Sequence, residues 1–77
     1  MDLQQFTVNF ADQFDETDAN DFKADTEFKK LIGWNSMVAL SIIAMVDDEY
    51  GVIIKGDDIR TSETVEDLFK IVKGYRK

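Results

Sequence analysis

Large apolar residues recur at every third or fourth position at the start of the chain, with polar residues between them. This spacing places them on one face of a helix, a pattern typical of helices that pack against a core. Asp2 can cap the start of that helix. The pattern therefore predicts a first helix from Asp2 to about Gln13. Its apolar stripe consists of Leu3, Phe6, Phe10 and Phe14.

The next segment, 15–30, is acidic and has few large apolar residues. Clustered carboxylates suggest a calcium loop, but an EF-hand loop needs glycine at its sixth position and glutamate at its twelfth. A loop that begins at Asp15 has Asn20 and Thr26 at those positions. We therefore interpret the segment as a solvated acidic loop. Three apolar side chains are expected to anchor it to the core: Phe22, Phe28 and Leu31.

The strongest helix is predicted from Ser36 to Tyr50, with Asn35 as its N-cap and Gly51 just beyond its end. Five residues are expected to form its core stripe: Ala39, Ile42, Ile43, Val46 and Tyr50. The opposite arc combines the polar residues Ser36, Ser41, Asp47 and Asp48 with the apolar residues Met37, Leu40 and Ala44. Apolar side chains on a polar arc indicate that this face contacts another part of the chain or a partner.

The last third of the chain has the pattern of a loop and two further helices. Val52–Ile54 is a short apolar run without a partner strand, so we interpret it as a loop that packs on the core. A short helix is expected from Asp57 to Thr61. Thr64–Asp67 resembles a capping box that opens a final helix. The apolar stripe of that helix is Val65, Leu68, Phe69 and Val72. The predicted fold is all-α: a small four-helix bundle of three main helices and one short helix, with a long first loop.

Composition restricts the function of these 77 residues, which we expect to form a single domain over 1–77. The chain contains no His and no Cys. It therefore lacks histidine relays, thiolate nucleophiles and zinc ligands of the usual kind, which argues against an enzyme and against a metal site. The net charge of −7 would repel phosphate backbones, so nucleic acid is not an expected partner.

No apolar run approaches the length that crosses a membrane. The N-terminus lacks the basic and apolar regions of a signal peptide. From these features we expect no membrane insertion and a cytoplasmic location. We also expect a monomer.

The most informative stretch is Gly33-Trp34-Asn35-Ser36-Met37, at the head of the second predicted helix. Gly33 permits a close turn, Asn35 can cap the helix, and Ser36 occupies the first helical position. Trp34 is expected to pack against the start of the helix. The free N–H groups and the positive end of the helix dipole favour an anion here. A phosphodiester on Ser36 would be well placed, but a serine that is only tolerated in the first turn would show the same pattern.

Four further features surround this motif. Phe28–Leu31 is similar to the aromatic and leucine lead-in of a known family, and Asp47–Tyr50 is similar to its acidic run that ends in an aromatic residue. Ile53 or Ile54 matches an apolar loop residue, and Thr64–Val65 opens the last helix as in that family. In order, spacing, length and acidity, the chain resembles an acyl carrier protein over nearly its whole length.

The resemblance implies that Ser36 is the attachment residue for 4′-phosphopantetheine, which a phosphopantetheinyl transferase transfers from coenzyme A. The chain would then carry acyl intermediates as thioesters on this arm, and it would be a co-substrate rather than a catalyst. Its further partners would be acyl-transfer or condensing enzymes of a fatty-acid, polyketide or related biosynthetic pathway. Since the chain has no Cys, the arm would supply the thiol.

The chain departs from the family pattern near the attachment motif. Asn35 replaces the usual Asp, and Met37 replaces the usual Leu. Val38 and Ser41 stand where fatty-acid carriers often have acidic residues, which favours a specialised carrier. The expected partner-binding residues are Asn35, Met37, Val38, Leu40, Ser41, Ala44, Asp47 and Asp48. The alternative function is an unmodified helical interaction module that binds a partner protein through the same helix.

Overall fold

The computed structural model describes residues 2–14, 22–31 and 33–76 of the chain. These ranges contain four α-helices, one short 3-10 helix and no strand. The helices are α1 (Leu3–Ala11), α2 (Ser36–Tyr50), α3 (Gly56–Thr61) and α4 (Val65–Tyr75), and the 3-10 helix is Phe28–Lys30. The predicted all-α class is confirmed, as is the small bundle of three main helices and one short helix.

α1 begins at Leu3, one residue after the predicted start, with Asp2 as the predicted cap, and it ends earlier than predicted. The Asp2 carboxylate accepts a hydrogen bond of 3.0 Å from the backbone N–H of Gln4, which satisfies one of the free donors at the helix start. The helix ends at Ala11, two residues before the expected end. Three residues of the predicted stripe are buried, the last of them beyond the helix: Phe6, Phe10 and Phe14. The apolar stripe therefore predicts which residues are buried more accurately than it predicts where α1 ends.

α2 has the predicted bounds and the predicted caps. The side-chain oxygen of Asn35 accepts a hydrogen bond of 3.0 Å from the Val38 N–H. Gly51 ends the helix in the left-handed conformation, with φ of 66°, which glycine adopts without the steric cost of a side chain. Local sequence signals at both ends thus fix the length of this helix.

The predicted core stripe of α2 is only partly correct. Ile42 and Val46 are buried as expected, but Met45 is buried as well, although the sequence pattern does not include it. Three other residues of the predicted stripe are only partly buried: Ala39, Ile43 and Tyr50. The face of α2 that meets the core is therefore rotated from the predicted one.

The region after α2 follows the predictions closely. Val52 and Ile54 are buried, so the loop packs on the core, and α3 begins one residue before its expected start. α4 opens with the predicted capping box. The Thr64 hydroxyl accepts from the Asp67 N–H at 3.1 Å, and the Asp67 carboxylate accepts from the Thr64 N–H at 3.1 Å. All four residues of the predicted stripe are buried: Val65, Leu68, Phe69 and Val72.

Aromatic rings form much of the core. The ring centroid of Phe10 lies 4.9 Å from that of Phe28 and 6.1 Å from that of Phe22. Phe6, one turn earlier on α1, lies 5.4 Å from the Phe69 ring of α4. α1 therefore packs on α4 and on the segment 22–31, and it also packs on α2. The predicted anchoring of that segment by Phe22 and Phe28 is confirmed.

Two backbone hydrogen bonds join the segment 22–31 to the start of α4. The Val65 N–H donates to the Thr26 carbonyl at 3.2 Å, and the Glu66 N–H donates to the Ala24 carbonyl at 2.9 Å. Both donors belong to the first turn of α4, where N–H groups have no intrahelical acceptor. The segment that precedes the Ser36 motif is therefore tied to the bundle by backbone as well as by aromatic side chains.

The sequence predicts neither a metal site nor membrane insertion. Residues 15–21, where the rejected calcium loop would begin, lie outside the described residues. Within the described ranges no three potential metal-ligating side chains form a group. None of the helices in those ranges has both the length and the apolar character needed to cross a membrane.

Candidate functional site

Ser36 is the first residue of α2, and its side chain is exposed. Asn35 precedes it with an extended backbone, and its side-chain oxygen is occupied by the Val38 N–H. The Ala39 N–H donates to the Asn35 carbonyl at 3.1 Å, which is the first backbone hydrogen bond of the helix. The N–H groups of Ser36 and Met37 therefore have no intrahelical acceptor and point out of the helix start.

The charges at this helix end favour an anion. α2 has no acidic residue in its first turn, and its N-cap is neutral. The positive end of the helix dipole is therefore not balanced by a carboxylate of α2 itself. A negative group on the Ser36 hydroxyl would lie beside these donors and still remain in water, so it would not incur the cost of burying a charge.

Trp34 attaches the turn before α2 to the core. Its indole stacks on the Phe14 ring with centroids 6.1 Å apart, and it meets the Phe28 ring edge-on at 5.2 Å. These partners lie just after α1 and in the 3-10 helix, rather than at the start of α2, where the sequence analysis expects them. Gly33, with φ of 97°, provides the reversal of the backbone before the cap residue. The contacts of Trp34 with the core thus fix the position of the turn that carries Ser36.

One side of α2 is exposed although it is partly apolar. We call Met37, Leu40, Ser41 and Ala44 the outer face of α2, since helical geometry places them together. Met37 is 76% exposed and Leu40 is 64% exposed. The other predicted partner-binding residues that are exposed are Asn35, Asp47 and Asp48. Val38 differs from them, because it is half-buried and packs against the core.

The C-terminal end of α2 carries charges that oppose its dipole. Asp47, Asp48 and Glu49 are exposed in the last turn, and α2 contains no Lys or Arg. Carboxylates at a helix C-terminus are unfavourable, because the helix dipole is negative there. Helix stability therefore does not explain this acidic end, whereas a basic surface on a partner would be attracted to it.

Ile53 is a further exposed apolar residue that the sequence analysis does not separate from Ile54. Ile53 is 74% exposed, while its neighbours Val52 and Ile54 are buried. Alternate burial of this kind is typical of an extended segment, in which successive side chains point to opposite sides. The sequence contains no signal that separates Ile53 from Ile54, because all three residues of this run are apolar.

These features define a small helical bundle that presents an exposed serine at the start of one helix. A family model described as the phosphopantetheine attachment site matches residues 4–72. Because the match covers most of the chain, the chain belongs to this family. Comparisons with curated proteins and with solved structures find no match.

Membership of this family establishes the class of protein and its cofactor. Domains of this family carry covalently attached 4′-phosphopantetheine and are carriers rather than catalysts. The predicted membership of the acyl carrier family, the predicted cofactor and the prediction that the chain is no enzyme are therefore confirmed. A carrier domain also implies contact with a phosphopantetheinyl transferase and with biosynthetic enzymes.

The residues at the head of α2 fit such a group. A phosphodiester needs an accessible hydroxyl and donors for its negative charge. Ser36 provides the hydroxyl, and the N–H groups of Ser36 and Met37 are suitable donors. The chain has two other serines. Ser41 lies in the middle of α2, where backbone N–H groups are engaged in the helix, and Ser62 is buried.

Proposed function

We propose that Ser36 is the residue that carries 4′-phosphopantetheine and that the chain is an acyl carrier. The single observation that supports this assignment most is the position of Ser36, exposed at the first residue of a helix whose start has free N–H groups and no carboxylate. The aromatic anchoring of Trp34, two residues earlier, holds this hydroxyl in a fixed place for a transferase.

The arm would supply the thiol that carries acyl groups as thioesters, which this chain without Cys cannot provide itself. The residues of the chain then have two tasks. Ser36 holds the arm at the tip of α2, and the surface around it is recognised by the enzymes that load and unload the cargo. Neither task needs a catalytic side chain.

We propose that these enzymes bind the outer face of α2, together with Asp47 and Asp48. The exposure of Met37 and Leu40 supports this surface, because large apolar side chains in water favour burial against a partner. A partner that fits it would have an apolar centre for the N-terminal half of α2 and basic residues for its acidic end.

We further propose that the pathway is a specialised one, such as polyketide, peptide or related acyl biosynthesis, rather than general fatty-acid synthesis. The absence of carboxylates from the first two turns of α2 supports this choice, since fatty-acid carriers often have acidic residues at positions 38 and 41, where this chain has Val38 and Ser41. The single domain over 1–77, the monomeric state and the cytoplasmic location stay predictions.

Intact-protein mass spectrometry tests the attachment residue. The chain would be incubated with coenzyme A, Mg²⁺ and a phosphopantetheinyl transferase of broad specificity. We expect a single phosphopantetheinyl increment on the wild type and on Ser41→Ala, and none on Ser36→Ala. Ser41→Ala is the matched control because it removes another exposed hydroxyl of the same helix, and the reaction is run to completion so that slower docking on the outer face does not change the increment. An increment on Ser36→Ala would refute the assignment.

A folded chain that gains no increment, even with the transferase of its own host, would support the alternative of an unmodified interaction module.

A second experiment tests the docking surface. Leu40→Glu should slow modification by the transferase at subsaturating concentration, because it places a charge at the apolar centre of the outer face. Val8→Glu, which adds the same charge at an exposed valine of α1, should not. Equal rates for both variants would count against docking on α2.

A further inference from the structure

The helices of this chain differ in the charges at their N-termini. In α1 the Asp2 carboxylate caps the helix directly, and in α4 the first turn contains Glu66 and Asp67. The short helix α3 also begins with two carboxylates, Asp57 and Asp58. Among the described helices, only α2 begins with a neutral cap and has no acidic side chain in its first turn.

The C-terminal ends of α3 and α4 also differ from that of α2. α4 has Lys73 in its last turn and α3 has Arg60, so both have a cation near the negative end of the dipole. α2 instead has three carboxylates in its last turn and no basic residue there. The sequence therefore leaves α2 without favourable charge at either end, although it is the longest of these helices.

We propose that the phosphodiester on Ser36 is the missing N-terminal anion of α2, so that phosphopantetheinylation stabilises the fold of this carrier. This inference rests on the proposed attachment at Ser36. The negative charge of the phosphodiester would lie beside the N–H groups of Ser36 and Met37, which have no intrahelical acceptor. Modification thus completes the helix that the transferase recognises.

Asn35 has a defined part in this arrangement. Its side-chain oxygen caps the helix through the Val38 N–H, as the oxygen of an aspartate would, but it adds no charge. An aspartate at this position would stabilise the unmodified helix and would repel a phosphodiester on the next residue. Asn35 therefore reserves the N-terminal charge of α2 for the modification, and it acts as a positioning residue.

Thermal unfolding of the unmodified and the modified chain at low ionic strength tests this inference. We expect modification to raise Tm by about 2–6 °C, the shift that one favourable charge at a helix end gives in a domain of this size. In Asn35→Asp, the unmodified chain should have a higher Tm than the unmodified wild type, and the gain on modification should be less than half as large. Added salt at about 0.5 M should reduce the wild-type gain.

Mass spectrometry of the same samples distinguishes failure of the proposed attachment at Ser36 from failure of the proposed stabilisation. If Ser36 is not modified, the proposed function fails. If Ser36 is fully modified and Tm does not rise, only this inference fails. A rise that neither salt nor Asn35→Asp reduces would also overturn it, because the stabilisation would then come from contacts of the arm rather than from charge.

A pair of variants tests the charge without any modification. Ser36→Asp and Ser36→Asn have the same shape, but only the aspartate is an anion at neutral pH. We expect Ser36→Asp to have the higher Tm by about 1–4 °C and to protect the amides in the first turn of α2 more strongly from hydrogen exchange. Equal Tm and equal protection for the two variants would refute the inference.

Discussion

α2 and α4 are the two long helices that α1 packs against, and they differ in the placement of their apolar residues and charges. α4 has its apolar residues on one face, all four predicted stripe residues are buried, and the charges at both ends agree with the helix dipole. α2 has apolar residues around most of its circumference, and its charges oppose the dipole. The fold buries the whole predicted stripe of α4 but only part of the apolar surface of α2.

The difference shows how a small carrier divides its surface. A chain this short can bury only roughly 60% of the surface that its unfolded form exposes. Apolar residues on the outside of α2 do not contribute to the core. Other parts of the chain must therefore provide more of it. The aromatic residues of α1 and of the segment 22–31 provide it, which leaves the outer face of α2 available to other proteins.

A matched pair of leucines should show this division most clearly. Leu68 of α4 is fully buried, so Leu68→Ala should lower the free energy of unfolding by about 2–5 kcal/mol through lost contacts and the cavity left behind. Leu40→Ala removes the same atoms from a side chain that is 64% exposed, and the change should stay within about 0.5 kcal/mol. Urea unfolding measures both. A large loss for Leu40→Ala would mean that the outer face is packed.

The same comparison can be made within α2 with two methionines. Met45 is 7% exposed, and Met45→Ala should cost about 2–3 kcal/mol, at the lower end of the range for a buried methionine. Met37 is 76% exposed, and Met37→Ala should leave the free energy of unfolding nearly unchanged. Urea unfolding again measures the difference. If Met45→Ala were as harmless as Met37→Ala, the burial assigned to Met45 would be wrong.

Met45 also shows where reading the sequence fails. On a helical wheel, the three buried residues of α2 are centred about 60° away from the predicted stripe. A hydrophobic pattern fixes the buried face only when the other faces are polar. The apolar residues Met37, Leu40 and Ala44 remove that contrast, so the pattern could not decide between Met45 and Ile43. The orientation of α2 depends on its tertiary packing against α1.

Local signals were sufficient elsewhere. Asn35 and Gly51 fixed both ends of α2, and the Thr64–Asp67 box fixed the start of α4, because each acts through hydrogen bonds or backbone geometry within a few residues. The predicted attachment at Ser36 rests instead on the resemblance of the surrounding motifs to the acyl carrier family, because a serine in a first turn is ambiguous by itself. The aromatic partners of Trp34 could not be predicted from local signals, because they depend on the path of a segment without regular periodicity.

The caps of the two helices provide a smaller test of the comparison. α4 opens with reciprocal hydrogen bonds between Thr64 and Asp67, whereas the Asn35 side chain caps α2 through one bond to Val38. Thr64→Ala should cost about 0.5–2 kcal/mol, because the Asp67 N–H loses its acceptor. Thr64→Ser should restore most of this stability. Urea unfolding of the wild type and the two variants measures these differences in stability. A serine variant as unstable as the alanine variant would mean that Thr64 stabilises α4 through packing rather than through capping.

The smallest effect concerns the pH dependence of the α4 cap. Hydrogen bonds from the backbone N–H groups of Thr64 and Glu63 hold the pKa of Asp67 below its usual value. A lowered pKa in the folded state means that the carboxylate stabilises the fold above the unfolded pKa near 4 and that this contribution is lost as pH falls through the lower folded value. Asp67→Asn should therefore be less stable than the wild type near pH 6, and this difference in the free energy of unfolding should narrow below about pH 4.

Asp48→Asn is the control at the acidic end of α2, where removing a carboxylate should leave stability unchanged or raise it at neutral pH. A constant gap between Asp67→Asn and the wild type across this range would show that the box stabilises α4 through its shape alone.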